Sequence, residues 1–254
     1  MTPEDDPMPA DADLPADAHE PHGPPRLEML HSLELTPRRV QLRRLAAAGR
    51  DAIEHLVSTT ATIEQLAAAA DQLEDMARTL GELPKGKRYE GFSEAANAGD
   101  LSALEAAVGE EYASFDHSPF IGLANPLSPP IYFDYGPDWI RGRVTFGAAY
   151  EGPPGCVHGG YVAAAFDELL GATQSLSGTQ GMTARLEVDY RSPSPLGQEL
   201  TLLGEVQSVE GRKIWCTGRL LAGERLCAES RGLFISMDSE RFRALIADRD
   251  SRLP

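Results

Sequence analysis

Cysteine is scarce in this chain of 254 residues: Cys156, Cys216 and Cys227 form an odd, widely spaced set with no C-x-x-C pair. That pattern suggests neither a disulfide framework nor a zinc site, and it fits free thiols in a reducing cytoplasm. Basic residues are also few, 23 Lys and Arg against 39 Asp and Glu, for a formal charge of −16. Such a deficit argues against nucleic acid as the main partner, because phosphate binding needs a basic face. No apolar run approaches the ~18 residues that a bilayer span needs, and the start MTPEDDPMPA lacks the basic and apolar stretches of a signal peptide. The expectation is a soluble, unexported, cytoplasmic protein without a membrane partner. What is present is ordinary globular composition, 42% hydrophobic and 24% charged, at a length that buries a real core in one domain with an appendage or in two small domains.

Residues 1–26 are expected to be a disordered acidic tail. Seven carboxylates and many prolines, with no Lys or Arg before Arg26, cannot bury enough apolar surface to offset ordering entropy. His19 and His22 have no partner cluster and read as part of that solvated tail, not as metal ligands. Residues 27–84 form a helical extension. Ile63, Leu66, Ala70, Leu73, Ala77 and Leu80 recur at alternating spacings of three and four, and an earlier stripe runs through Leu42, Leu45, Ala52 and Leu56. The β-branched patch Ser58-Thr59-Thr60 and a capping box of Thr62 with Gln65 divide the two, so a helical hairpin is expected, ending at Gly81 and Pro84. Packing of this hairpin on the main domain is the preferred reading, with a short coiled coil to another subunit as the alternative. Residues 85–130 are a connector in which Ser102 and Glu105 open a short helix toward Tyr112.

Residues 131–246 make the regular domain. Trp139 to Tyr150 alternates as a half-buried strand, with Ile140, Val144, Phe146 and Ala148 on one side. A Gly/Pro loop then leads into a densely apolar helix from Gly159 to Thr173. Strands follow over Thr183 to Arg191, Glu199 to Val209, Arg212 to Leu221 and Arg225 to Ser236, with hairpin turns at Glu210-Gly211 and Gly223-Glu224. One buried helix followed by an antiparallel meander defines an α+β domain with the helix covered by the sheet.

The segment Gly155-Cys156-Val157-His158-Gly159-Gly160 stands immediately before that helix, and Asp167 lies inside it. Two glycines at a helix start let a substrate approach the backbone, where unpaired N–H groups can hold a developing oxyanion. Acyl transfer also needs a base or nucleophile, and Asp167, set among alanines and leucines, is the candidate, with Glu168 the adjacent alternative. The nine residues from His158 to Asp167 correspond to ~13 Å of helix with the ends on opposite faces. Both groups therefore act on one carbonyl only if two subunits supply them, which predicts an active site at an interface. Cys156 lies in the turn and is a weak nucleophile candidate. Arg185 and Arg191 share a strand face with Glu187 and Asp189 and read as ion-pair partners before CoA-phosphate ligands.

These residues resemble the hotdog-fold acyl-CoA thioesterases of the His-Gly-Gly type. The resemblance runs over about 120–237, through PPGCVHGGYVAAAFDELLGAT and TARLEVDYRSPSPLGQELTLLGEV. It implies an antiparallel sheet wrapped around a central helix, assembly as a homodimer or a dimer of dimers, and hydrolysis of an acyl-CoA thioester to free acid and CoA. No cofactor is expected, and no metal, since His158 and Asp167 stand too far apart on one helix to share an ion and no third ligand is near them. By this resemblance Asp167 is the general base or nucleophile and Gly159 offers its N–H to the thioester oxygen across the dimer interface, beside Gly160. His158 shapes the loop or assists the thiolate, and Thr183 positions the carboxylate or the water. Some relatives carry an amide before the His, whereas this chain has Glu151-Gly152-Pro153-Pro154. The alternative function is a non-catalytic acyl-CoA-binding or scaffold protein.

Overall fold

A computed structural model of the chain describes residues 37–84, 118–178 and 181–236. The acidic tail, the short helix expected after Ser102 and residues 237–246 of the regular domain lie outside the described residues. Six strands form one antiparallel sheet: β1 (Tyr132–Tyr135), β2 (Trp139–Thr145), β3 (Gly181–Tyr190), β4 (Glu199–Glu210), β5 (Lys213–Ala222) and β6 (Arg225–Ser236), in the order β1-β2-β4-β5-β6-β3. The turns after β4 and β5 place Gly211 and Gly223 at positive φ, 61° and 62°, a conformation that a side chain resists. The strand expected to run from Trp139 to Tyr150 stops at Thr145. Ala148–Tyr150 is a 3₁₀ turn, because a carboxylate from outside the sheet binds its N–H groups, as described below.

The sheet wraps a single helix, α3 (Gly159–Gln174), packed against β2, β3, β4, β5 and β6. Val162, Ala165, Phe166, Leu169 and Leu170 are buried there, against Leu202, Ile214, Leu220 and Phe234 of the sheet. Period 2 in the strands and a crowded apolar helix combine in this way because each buries the face that water disfavours. A close approach fixes their separation. Gly204 and Gly218 are cross-strand partners beneath α3, and a Cβ on Gly204 would stand 2.2 Å from Thr173 Oγ1. A sheet wrapped about one central helix is the hotdog architecture.

Before this domain come two helices, α1 (Pro37–Ser58) and α2 (Ile63–Glu82), with the reciprocal Thr62–Gln65 capping box at the start of α2. α1 docks on the domain. Arg50 donates to the carbonyls of Leu123 and Asn125 at 3.1 and 2.9 Å, and Glu54 accepts from the N–H groups of Ala148 and Ala149 at 2.7 and 3.1 Å. The expectation that the whole hairpin packs on the domain differs for α2, which buries none of its residues. Its stripe is exposed, and α1 alone holds the Ala148–Tyr150 turn.

Candidate active site

The loop from Glu151 to His158 is pinned from several sides. His158 N–H donates to Tyr150 O at 2.9 Å, Val157 N–H to Ser194 O at 2.9 Å, and Leu196 N–H to Gly155 O at 3.1 Å. Gly155 takes φ 72°, and its N–H donates to the Glu151 carboxylate at 2.6 Å. Glu151 thus holds the turn. Tyr150 anchors the loop from beneath, stacked edge-on with Tyr161 and Phe146, and burial pushes its phenol up to about 12. Because Glu54 binds the turn that carries Tyr150, α1 braces the loop through a chain of hydrogen bonds.

At the helix start the three expected residues divide their tasks. His158 is the N-cap, and its Nδ1 accepts the Gly160 N–H at 3.0 Å. An accepting Nδ1 leaves the ring proton of the neutral imidazole on Nε2, in an exposed side chain. Tyr161 N–H donates to His158 O at 2.9 Å. That leaves the Gly159 N–H as the first-turn donor without a partner among the described residues, at the positive end of the helix dipole. Gly160, grouped with Gly159 by sequence, has its N–H committed to His158.

Tyr190 is a residue of this site that sequence reasoning quoted without assigning. Its hydroxyl donates to Gly159 O at 2.8 Å, and its ring lies 3.3–3.4 Å from where a Cβ on Gly159 would stand. The signal available was its even-numbered place on the strand, the inward face of Leu186 and Val188.

A little over two turns of helix separate this end from Asp167. Thr183 Oγ1 donates to Asp167 Oδ1 at 3.1 Å, so these two expected residues meet. The register of β3 against β6 shifts between Thr183 and Arg185. Without that bulge Thr183 would share the outward face of Arg185 and Glu187; with it, Thr183 turns inward with Leu186, Val188 and Tyr190. β3 therefore touches α3 at both ends of the site, Thr183 at the carboxylate and Tyr190 at the loop. Arg185 pairs with Glu187, and Arg191 with Asp189 and Glu229, as the shared face implies.

The burial expected around Asp167 falls instead on its neighbour. Asp167 is exposed in the single chain, because α3 turns it toward the edge strand and away from the apolar stripe. Glu168, about 100° round the helix, is sunk beneath the 118–121 turn and accepts from Ser118 Oγ at 3.0 Å. Desolvation pushes its carboxyl up to about 7, assisted by the neighbouring Asp167 charge and opposed by the Ser118 hydrogen bond. Of the cysteines, Cys216 is buried in the core, which pushes its thiol up to about 12. Cys156 is half-buried in the loop with its Sγ 3.6 Å from Pro154 O.

Residues 154–229 match the model of the Thioesterase superfamily. The crystal structure of a thioesterase superfamily protein aligns with a TM-score of 0.65 at 31% identity, covering 76% of this chain and 94% of that one. That coverage exceeds what residues 118–254 supply, so the likeness extends into the N-terminal part. The acyl-coenzyme A thioesterase THEM4 of Mus musculus is 36% identical over 97 residues, 37% of this chain and 42% of the relative. THEM4 of Xenopus laevis is 39% identical over 93 residues, 36% and 42% of the two chains. The chain spans about two-fifths of the length of these curated relatives. With a hotdog fold, a glycine N–H and a carboxylate on one central helix, and a relative matched over nearly its whole length, the chain belongs to the thioesterase superfamily.

Proposed function

We propose that this protein hydrolyses an acyl-CoA thioester to the free acid and CoA, at sites shared between two subunits of a homodimer. The observation that carries the reading is the pairing of an outward-facing carboxylate, Asp167 held by Thr183 at the middle of the helix, with the Gly159 N–H at its start, which has no partner among the described residues. Eight residues of helix separate them by ~12 Å, too far for one carbonyl, so each meets its complement on a second subunit. The edge strand β3, largely exposed, is the surface that brings the two helices together. The names of the THEM4 relatives support CoA as the thiol.

In the shared site the thioester oxygen lies against Gly159 N–H of one subunit while Asp167 of the other acts at the carbonyl carbon. Asp167 takes the proton of an attacking water, or attacks directly and is released by water in a second step. Either course passes through a tetrahedral oxyanion, which a fixed N–H at a helix start stabilises more than it does the ground-state carbonyl. The C–S bond then breaks; the departing thiolate takes up the proton that Asp167 drew from the water or, in the direct course, the proton released when water hydrolyses the mixed anhydride. His158 shapes the loop by capping Gly160 and presents Nε2–H to the leaving sulfur.

Thiol release from short, medium, long and aromatic acyl-CoAs tests the reading. Asp167→Asn should lower the rate by roughly 10²–10⁴-fold with the assembly unchanged. An unaltered rate removes Asp167 from the mechanism. Saturable CoA-ester binding without turnover by the wild type would establish a binding module in place of an enzyme.

A further inference from the structure

The stripe on α2 has no cover among the described residues: all of its own residues are exposed, Ile63 to 81% and Leu73 to 57%. Most of a helix's stability in a protein comes from packing of its amphipathic face, so the apolar face of this 20-residue helix calls for a partner. Written as a heptad from Ile63, the stripe fills positions a and d. The flanking e and g positions hold Ala67, Ala69, Glu74, Met76, Gly81 and Leu83, while Glu64, Asp71, Asp75, Arg78 and Glu82 lie on the far side at b and f. A charged partner would be met by charges along the rim of this seam. The rim carries one, Glu74, so the seam suits another uncharged helical face, and α2 of a second copy supplies it.

The sizes of the seam residues fix the direction. Antiparallel pairing about the midpoint between Asp71 and Gln72 sets Leu66 opposite Ala77, Leu73 opposite Ala70, and Ile63 opposite Leu80 of the second copy. Large meets small in every central layer, which is what close packing requires. Parallel pairing would set Ala70 on Ala70 and Ala77 on Ala77 and leave thin layers between leucine layers. In the antiparallel pair Glu74 falls near Ala67, so like charges do not meet. We propose that α2 is a homotypic docking helix that pairs antiparallel with α2 of a second copy of this chain, at a surface separate from the β3 edge.

Directed cross-linking of the full chain tests this. In a Cys156→Ser background, where the remaining native thiols Cys216 and Cys227 are buried, Leu66→Cys and Ala77→Cys are introduced together. Within one helix these positions stand ~16 Å apart, beyond disulfide reach, so any bond joins two copies. Oxidation of the dilute protein should give a covalent dimer from the double variant and none from Leu66→Cys alone. A bond in Leu66→Cys alone would mean parallel pairing and would overturn the proposal. No bond in the double variant would mean that another segment of the same chain, or another partner, covers the stripe, and would overturn it equally. Leu73→Asp added to the double variant should abolish the link while the melting of the sheet domain is unchanged, since Leu73 buries nothing there. A link that persists in this variant is random collision and counts against the pairing.

Discussion

Asp167 and Glu168 are neighbours on one helix in opposite environments, and a pH titration separates them. Glu168 carries its carboxyl up to about 7 from an ordinary 4.5, with desolvation the main cause. Between those values the folded chain holds a proton that the unfolded chain has lost. Stability is therefore fully present below the lower value and is lost as pH rises through the upper, by roughly 1–3 kcal/mol in all. Glu168→Gln keeps the acceptor for Ser118 and removes the ionisation. The variant should melt close to wild type at pH 5 and above it at pH 8, and a difference independent of pH would place the cause elsewhere. Sequence reasoning identified the carboxylate pair but gave the burial to the wrong member, because dense apolar neighbours do not say which side of a helix a single residue faces. Thr183 shows the opposite case. Its meeting with Asp167 was expected from resemblance, while strict alternation would have turned it outward. The bulge at Ala184 that reconciles the two leaves no mark in a run such as TARLEV.

At the scale of elements, the strands and the central helix were legible because each has a clean period: β6 was expected over Arg225 to Ser236, the span it occupies. Where a contact from outside sets the conformation, as Glu54 does for Ala148–Tyr150, local pattern extended the strand too far. The floor beneath α3 was also illegible, since a glycine within a strand has no periodic signature. Gly204 and Gly218 let the helix lie directly on the sheet, and Gly204→Ala tests how tightly. Its Cβ would stand 2.2 Å from Thr173 Oγ1 and 3.1 Å from Leu169 Cγ, both on buried residues that cannot retreat. The expected cost is about 1–3 kcal/mol, a fall of roughly 3–10 °C in the melting temperature. Gly171→Ala on the outer side of α3 meets nothing within 4 Å and serves as the control. It should be neutral or raise stability by up to about 1 kcal/mol. Equal losses at the two positions would mean that helix packing, and not the close approach, governs this region.

The whole molecule is where the proposed chemistry is decided, because the two halves of the site sit about two turns apart on one helix, at its start and at its middle. Each half can be removed separately by one substitution, with the exposed Tyr190 side chain, 3.3–3.4 Å from a Cβ at Gly159, giving way slightly in the second. Asp167→Asn takes away the carboxylate. Gly159→Pro takes away the N–H at the first helical position, where proline is favoured, and His158 before it already has the extended ψ of 132° that a following proline demands. Each variant alone should be inactive in thiol release. When the two are mixed and allowed to exchange subunits, a heterodimer has one site with both defects and one with neither. Random exchange makes half of the dimers mixed, so about a quarter of wild-type activity should return. A site built within one subunit predicts no recovery, since each chain would bring its own defect to its own site. Recovery that rises with the time allowed for exchange and is blocked by prior cross-linking of each homodimer would establish that the unit of catalysis is the pair.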